Sequence, residues 1–211
     1  MLELSNVRMP LDAGLSGAAG KRVMRRAAAR ALGVPEGKLA EIRLLKRSVD
    51  ARKKSDVHFV AALAVSFAAG EDAGAHVLKS VRGVRVRPYK PSEPLRIPCC
   101  SHAAQKPGFV RPVVVGAGPA GLFCALYLAQ AGLRPLLIER GGDVVERTAA
   151  VETFASGGAL DAFTNVQFGE GGAGAFSDGK LTTGTKSPHI RHVLQTFVDA
   201  GAPSEILWQA K

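Results

Sequence analysis

The stretch that most constrains this chain is residues 111–132, Arg-Pro-Val-Val-Val-Gly-Ala-Gly-Pro-Ala-Gly-Leu-Phe-Cys-Ala-Leu-Tyr-Leu-Ala-Gln-Ala-Gly. Three β-branched residues, Val113 to Val115, read as a buried strand. Gly116-Ala117-Gly118-Pro119-Ala120-Gly121 comes directly after it and opens an apolar helical run. Each glycine has its own task in such a dinucleotide-binding turn. Gly116 permits the sharp exit from the strand. Gly118 lacks a Cβ, so a pyrophosphate can approach the backbone. Gly121 lets the helix pack close to the sheet. The helix N-terminus then offers N–H groups and partial positive charge to the phosphates.

A merely glycine-rich turn does not account for the residues on its C-terminal side. Ala125 and Leu128 continue a small and apolar stripe, and Gly132 stands where a helix C-cap belongs. A second strand, residues 135–138, ends in Glu139, 18 residues after Gly121. A carboxylate there accepts hydrogen bonds from an adenosine ribose. Arg140 and Arg147 are candidates to face phosphate or adenine, and equally candidates for surface cations.

Residues 165–180 carry five glycines among short polar side chains. Such a chain can bend against a flat or phosphate-bearing ligand, and its N–H groups can form an anion nest. Phe168 and Phe176 argue for an ordered loop rather than a flexible one. Ser187-Pro-His precedes an expected helix to about Ala200, and residues 207–211 read as a strand barely begun.

Charge divides the chain. Residues 1–111 hold 21 Lys and Arg against 9 Asp and Glu, net +12, while residues 112–211 hold 7 against 9, net −2. Within the basic part the patterning predicts a strand at 2–8, a helix at 18–32 stopped by Gly33, and strands at 39–49 and 57–67. A short helix at 72–79 and a strand at 83–89 complete the series. That β-α-β-β-α-β order is a split βαβ, ferredoxin-like unit. Prolines at 88, 91, 94, 98 and 107 then predict an extended linker. The expected domains are residues 1–90, a linker at 91–110, and a Rossmann-type unit at 111–211. The fold class is thus α/β, with a ferredoxin-like α+β domain before the first half of a Rossmann-type dinucleotide-binding domain.

Arg22, Arg25, Arg26 and Arg30 are spaced to share one helix face, and Arg52, Lys53 and Lys54 crowd one connection. Stacking aromatics are sparse, so a simply solvated basic face is favoured over a nucleic-acid surface, and an anionic substrate or an acidic partner surface is equally compatible with the charge. The three cysteines are too few for a disulfide scaffold; Cys99 and Cys100 read as free thiols, and Cys124 as a small packing residue. The start is not a signal peptide, and the longest apolar run is too short to span a bilayer, so a cytoplasmic protein without membrane contact is expected.

With these residues in view, the chain resembles a bacterial family of FAD-dependent, NAD(FAD)-utilising dehydrogenases of the two-dinucleotide-binding-domain flavoprotein type. The resemblance rests on residues 46–52, residues 113–141, and above all Phe168-Gly-Glu-Gly-Gly-Ala-Gly-Ala-Phe-Ser-Asp-Gly-Lys180. It implies FAD over Gly116–Gly121 with Glu139 on its ribose. It also implies that Gly171, Gly172, Ala173 and Gly174 border the pyrophosphate or isoalloxazine. Family members look more than twice as long, so the flavin fold would be half built here. NAD(P)H is a candidate electron donor, although no second fingerprint is present to hold it. No catalytic residue and no metal site is assigned. The reading is an FAD-dependent oxidoreductase. Its alternatives are a non-catalytic dinucleotide-binding module with a basic interaction domain, or a flavoenzyme acting on RNA.

Overall fold

The computed structural model describes residues 1–11, 17–68, 83–177 and 183–209. The chain divides into two compact units, residues 1–94 with 181–211, and residues 95–180.

In the first unit, β1 (Leu2–Met9), β2 (Leu39–Asp50), β3 (His58–Phe67) and β4 (Arg85–Pro88) form a four-stranded sheet, with α1 (Gly17–Leu32) packed on it. The strand order is β2-β3-β1-β4. Because β3 pairs antiparallel with both β1 and β2, those two run in the same direction with β3 inserted between them. The helix expected at 72–79 lies outside the described residues.

The helix α1 forms because small and apolar residues recur at helical spacing. Gly20, Met24, Ala28 and Leu32 make one buried stripe, packed on Leu2, Leu4, Leu63 and Val65. Gly33, at φ +66°, ends it, and Val34 N–H returns to Ala29 O at 3.0 Å, closing a Schellman turn. The arginine face expected on α1 is only partly present. Arg25 instead reaches β2, donating to the carbonyls of Leu39 and Ala40, while Arg22, Arg26 and Arg30 stay exposed.

Residues 181–211, expected with the second domain, group with this unit. The helix here, α4 (Ile190–Asp199), starts after a turn in which Ser187 Oγ accepts from His189 N–H. Residues 204–207 form a 3₁₀ turn, and of the strand expected at 207–211 the described residues show one bridge. Beyond it, Gln209 makes an isolated parallel bridge to Arg47. The anchor is Arg47, whose N–H donates to Trp208 O at 2.6 Å. Its guanidinium lies 4.5 Å from the Phe59 ring centre and 4.8 Å from that of Trp208.

The second unit holds β5 (Val113–Val115), α2 (Pro119–Gln130), β6 (Leu136–Ile138) and α3 (Val144–Ala155). The two strands pair in parallel, Val113 with Leu136 and Val115 with Ile138. The expectation of a buried strand fails in part. Val114 is buried, but Val113 and Val115 are 54% and 82% exposed. Strand side chains alternate between faces, and only the Val114 side meets α2.

Of the linker, residues 89–100 are irregular and residues 103–105 make one 3₁₀ turn. Its end is packed rather than loose, since Cys100 N–H donates to Ala131 O at 2.7 Å. A Cβ on Gly132 would lie 2.8 Å from Ser101 Cβ. All three cysteines are free, and Cys124, expected to pack, is exposed. The Ser101 hydroxyl beside Cys99 lowers that exposed thiol's pKa. Among the described residues, no helix is long and apolar enough to cross a membrane, and no group of three His, Cys, Asp or Glu could hold a metal ion.

Candidate functional site

The site begins where β5 ends. Gly116 turns the chain at φ +98°, a conformation that a side chain disfavours, and its N–H donates to Ile138 O at 2.6 Å. Gly118 is the N-cap of α2 in extended conformation, no side chain caps the helix, and Pro119 occupies its first turn. The leading N–H groups of α2 are therefore not taken by a cap. A Cβ on Gly118 would meet nothing within 4 Å, so the backbone there is bare. At Gly121 the reverse holds. A Cβ would fall 1.9 Å from Gly116 O and 3.6 Å from Val114 Cγ1.

Glu139, at the end of β6, reaches back to this turn. Its Oε2 accepts from Ala117 N–H at 2.6 Å and its Oε1 from Gly141 N–H at 2.9 Å. These backbone bonds, Gly141 first and Ala117 second, hold the carboxyl below its ordinary pKa. A carboxylate has about four lone-pair sites, so two bonds leave acceptor capacity for a ligand's hydroxyls.

The second glycine loop meets the same turn. Gly171 N–H donates to Ala117 O at 2.9 Å. A Cβ on Gly172 would meet Pro119 Cδ at 2.9 Å and Gly118 Cα at 3.3 Å. Gly169, Gly171 and Gly172 all have positive φ, so the loop's path depends on their lacking side chains. Ala173 and Gly174 are exposed in the short 3₁₀ turn Ala173–Phe176 next in the chain. The structure thus brings together Gly116–Gly121, Glu139, Gly171 and Gly172.

Of the two arginines, Arg140 keeps its reading as a surface cation, while Arg147 departs from both of its readings. Arg140 is exposed, with its guanidinium 5.0 and 5.2 Å from the ring centres of Phe163 and Phe168. Arg147 is corrected outright, since it is completely buried and open to no phosphate. Its Nε donates to Asn165 O at 2.8 Å, Nη2 to Val166 O at 2.7 Å, and Nη1 to Glu170 O at 2.6 Å and Gly172 O at 2.7 Å. The Phe176 ring centre lies 4.8 Å from the guanidinium carbon. Arg147 therefore holds the loop in shape rather than touching a cofactor.

Sequence reasoning also missed the loop's other support. Asp143 caps α3, accepting from Val145 and Glu146 N–H at 2.9 Å. Glu170 Oε2 accepts Val144 N–H at 2.8 Å, which ties the loop to that helix start. Gly141 passes so close that a Cβ would lie 2.5 Å from Phe163 O and 2.6 Å from Gly169 Cα. The Asp-x-x-Glu spacing of 143 and 146 is the signal that could have found α3.

Comparison with known proteins addresses both halves of the chain. Residues 1–66 match a domain of unknown function, DUF8436. An uncharacterized protein of Clostridium beijerinckii is 38% identical over 210 residues, which cover all of this chain and 37% of that relative. The chain thus spans little more than a third of the length of the curated relative it matches. Residues 111–201, which begin just before β5 and include both glycine loops, match the family described as FAD binding domain, and the chain carries an FAD-binding domain there.

Proposed function

We propose that this chain is the FAD-binding portion of an FAD-dependent oxidoreductase of the dehydrogenase type. The supporting observation is the bare backbone at Gly118 beside a carboxylate fixed to the same turn. The residues fit the group. Gly118 leaves room for a diphosphate, the N–H groups of Ala120 and Gly121 head α2 toward it, and Glu139 keeps acceptor sites for ribose hydroxyls. Gly171 and Gly172 wall the same turn, and Ala173 and Gly174, which follow them exposed, would extend that wall toward the cofactor. Bound FAD supplies reversible hydride and electron chemistry, which the protein binds and orients.

In this reading the first unit is a ferredoxin-like domain, residues 1–90, joined by residues 91–110 to a Rossmann-type domain begun at residue 111. The observed order β2-β3-β1-β4 supports the first part. The parallel β5–α2–β6 unit supports the second. The relative's greater length supports a flavin fold completed by further chain. NAD(P)H, the candidate electron donor, has no supporting feature among the described residues of either unit.

Purified chain loaded with FAD tests the proposal. A yellow protein whose visible flavin absorbance bleaches under a reductant and returns in air is expected, and Gly118→Val abolishes the loading. A colourless protein that takes up NAD but not FAD overturns it.

A further inference from the structure

The basic character of the first unit is not used by the FAD site, and four of its cations line one cavity. This cavity, of about 710 Å³, lies on the sheet and is lined by Arg43 and Lys46 of β2, Lys90 after β4, and Arg191 of α4. Its volume falls within the range of small-molecule pockets, roughly 300–1,000 Å³. Among the described residues lining it, Glu3 is the one acid, and that carboxylate is already engaged by Arg87 at 2.7 Å. Among the described residues, Lys46 and Lys90 form no ion pair, and both are exposed. Arg43 retains partial compensation, from Glu41 at 3.4 Å.

The floor is different in kind. Val60, Ala61 and Ala62 of β3 line it, and Ala61 also joins Leu63 in the core under α1. Tyr89 adds an aromatic wall, its ring centre 5.6 Å from the Arg43 guanidinium carbon. Cations thus ring an apolar floor. That combination selects a compact ligand with several anionic oxygens and an organic body, rather than a lone ion.

We infer that this cavity binds a small organic polyanion, a phosphorylated or polycarboxylate metabolite, at a site separate from the FAD turn. An RNA strand is less well served. Single-stranded RNA is held by rows of stacking aromatics, and Tyr89 is the one aromatic residue lining the cavity.

Calorimetric titration of the full chain with citrate and with inorganic tripolyphosphate, at physiological ionic strength, is the test. The variant Lys46→Glu/Lys90→Glu reverses two exposed charges, and circular dichroism checks its fold. Should it not fold, Lys46→Gln/Lys90→Gln takes its place. Wild type and Gly118→Val are expected to bind equally, and the lysine variant roughly tenfold or more weaker. Binding of tripolyphosphate alone assigns a phosphorylated ligand, and binding of citrate alone a carboxylate. Equal binding by wild type and the lysine variant overturns the inference. So does binding lost in Gly118→Val, which would belong to the fingerprint turn, or single-stranded RNA that binds through these lysines and is not displaced by either anion. Because Gly118→Val reports on FAD separately, either reading can fail while the other stands.

Discussion

At the scale of single residues, the three fingerprint glycines do separable work, and substitution should separate them. Ala at 121 places its Cβ against backbone atoms of Gly116, which have no rotamer to escape by. Gly121→Ala is therefore expected to cost about 1–3 kcal/mol of stability, read as a lower urea midpoint at unchanged slope. Ala at 118 meets nothing in the chain, so its stability cost should stay within about 1 kcal/mol, the difference between glycine and alanine as N-caps. Its effect falls on FAD affinity, expected to drop about tenfold or more in fluorescence titration because the diphosphate loses its approach. Glu139 adds a pH signature. Its folded pKa is depressed below the ordinary 4.5, so its contribution is present above that value and is lost as pH falls through the lowered one. Glu139→Gln should flatten the acid limb of melting temperature against pH below about 4.5, and leave the neutral region's slope unchanged.

At the scale of elements, what was legible came from local pattern. Met24, Ala28 and Leu32 fall on one helical stripe, and α1 forms within a residue of its expected bounds. Gly33 and Gly132 stop their helices at positive φ, as their positions after apolar runs imply. The placement of Glu139 beside the fingerprint was legible too, because strand, turn, helix and strand fix how far the chain can stray. What escaped depended on distance or on opposing signals. The α3 helix was missed, although Asp143 and Glu146 stand at capping distance. Arg147 was unreadable because its carbonyl partners lie 18 to 25 residues downstream, and nothing local distinguishes a buried arginine from a surface one. Its burial predicts a large effect. Lysine cannot reproduce the planar fork, so Arg147→Lys leaves about two buried carbonyls unpaired, at about 1–3 kcal/mol each. A fall of about 2–6 kcal/mol in chemical denaturation is expected from those two losses, with weakened FAD loading that Arg140→Lys does not share.

At the scale of the whole molecule, charge, contact grouping and family matches divide the chain in related ways. The basic excess lies before residue 112, and the two family matches cover residues 1–66 and 111–201 separately. The compact units agree except at the end, where residues 181–211 join the first unit through Arg47 and Trp208. Ligand linkage offers a way to ask whether that division is thermodynamic. A ligand stabilises what binds it by about 2.7 kcal/mol at a hundredfold excess over Kd, which slows amides exposed only by unfolding of that unit by about a hundredfold. With FAD bound, hydrogen exchange should slow at Gly116, at the first turn of α2, and at Gly141 and Gly171, whose N–H groups close the site. The β1 and β3 amides, which pair with each other and with β2 and β4, should exchange at the unliganded rate. Equal slowing of both sets would mean that the chain unfolds as a single cooperative body.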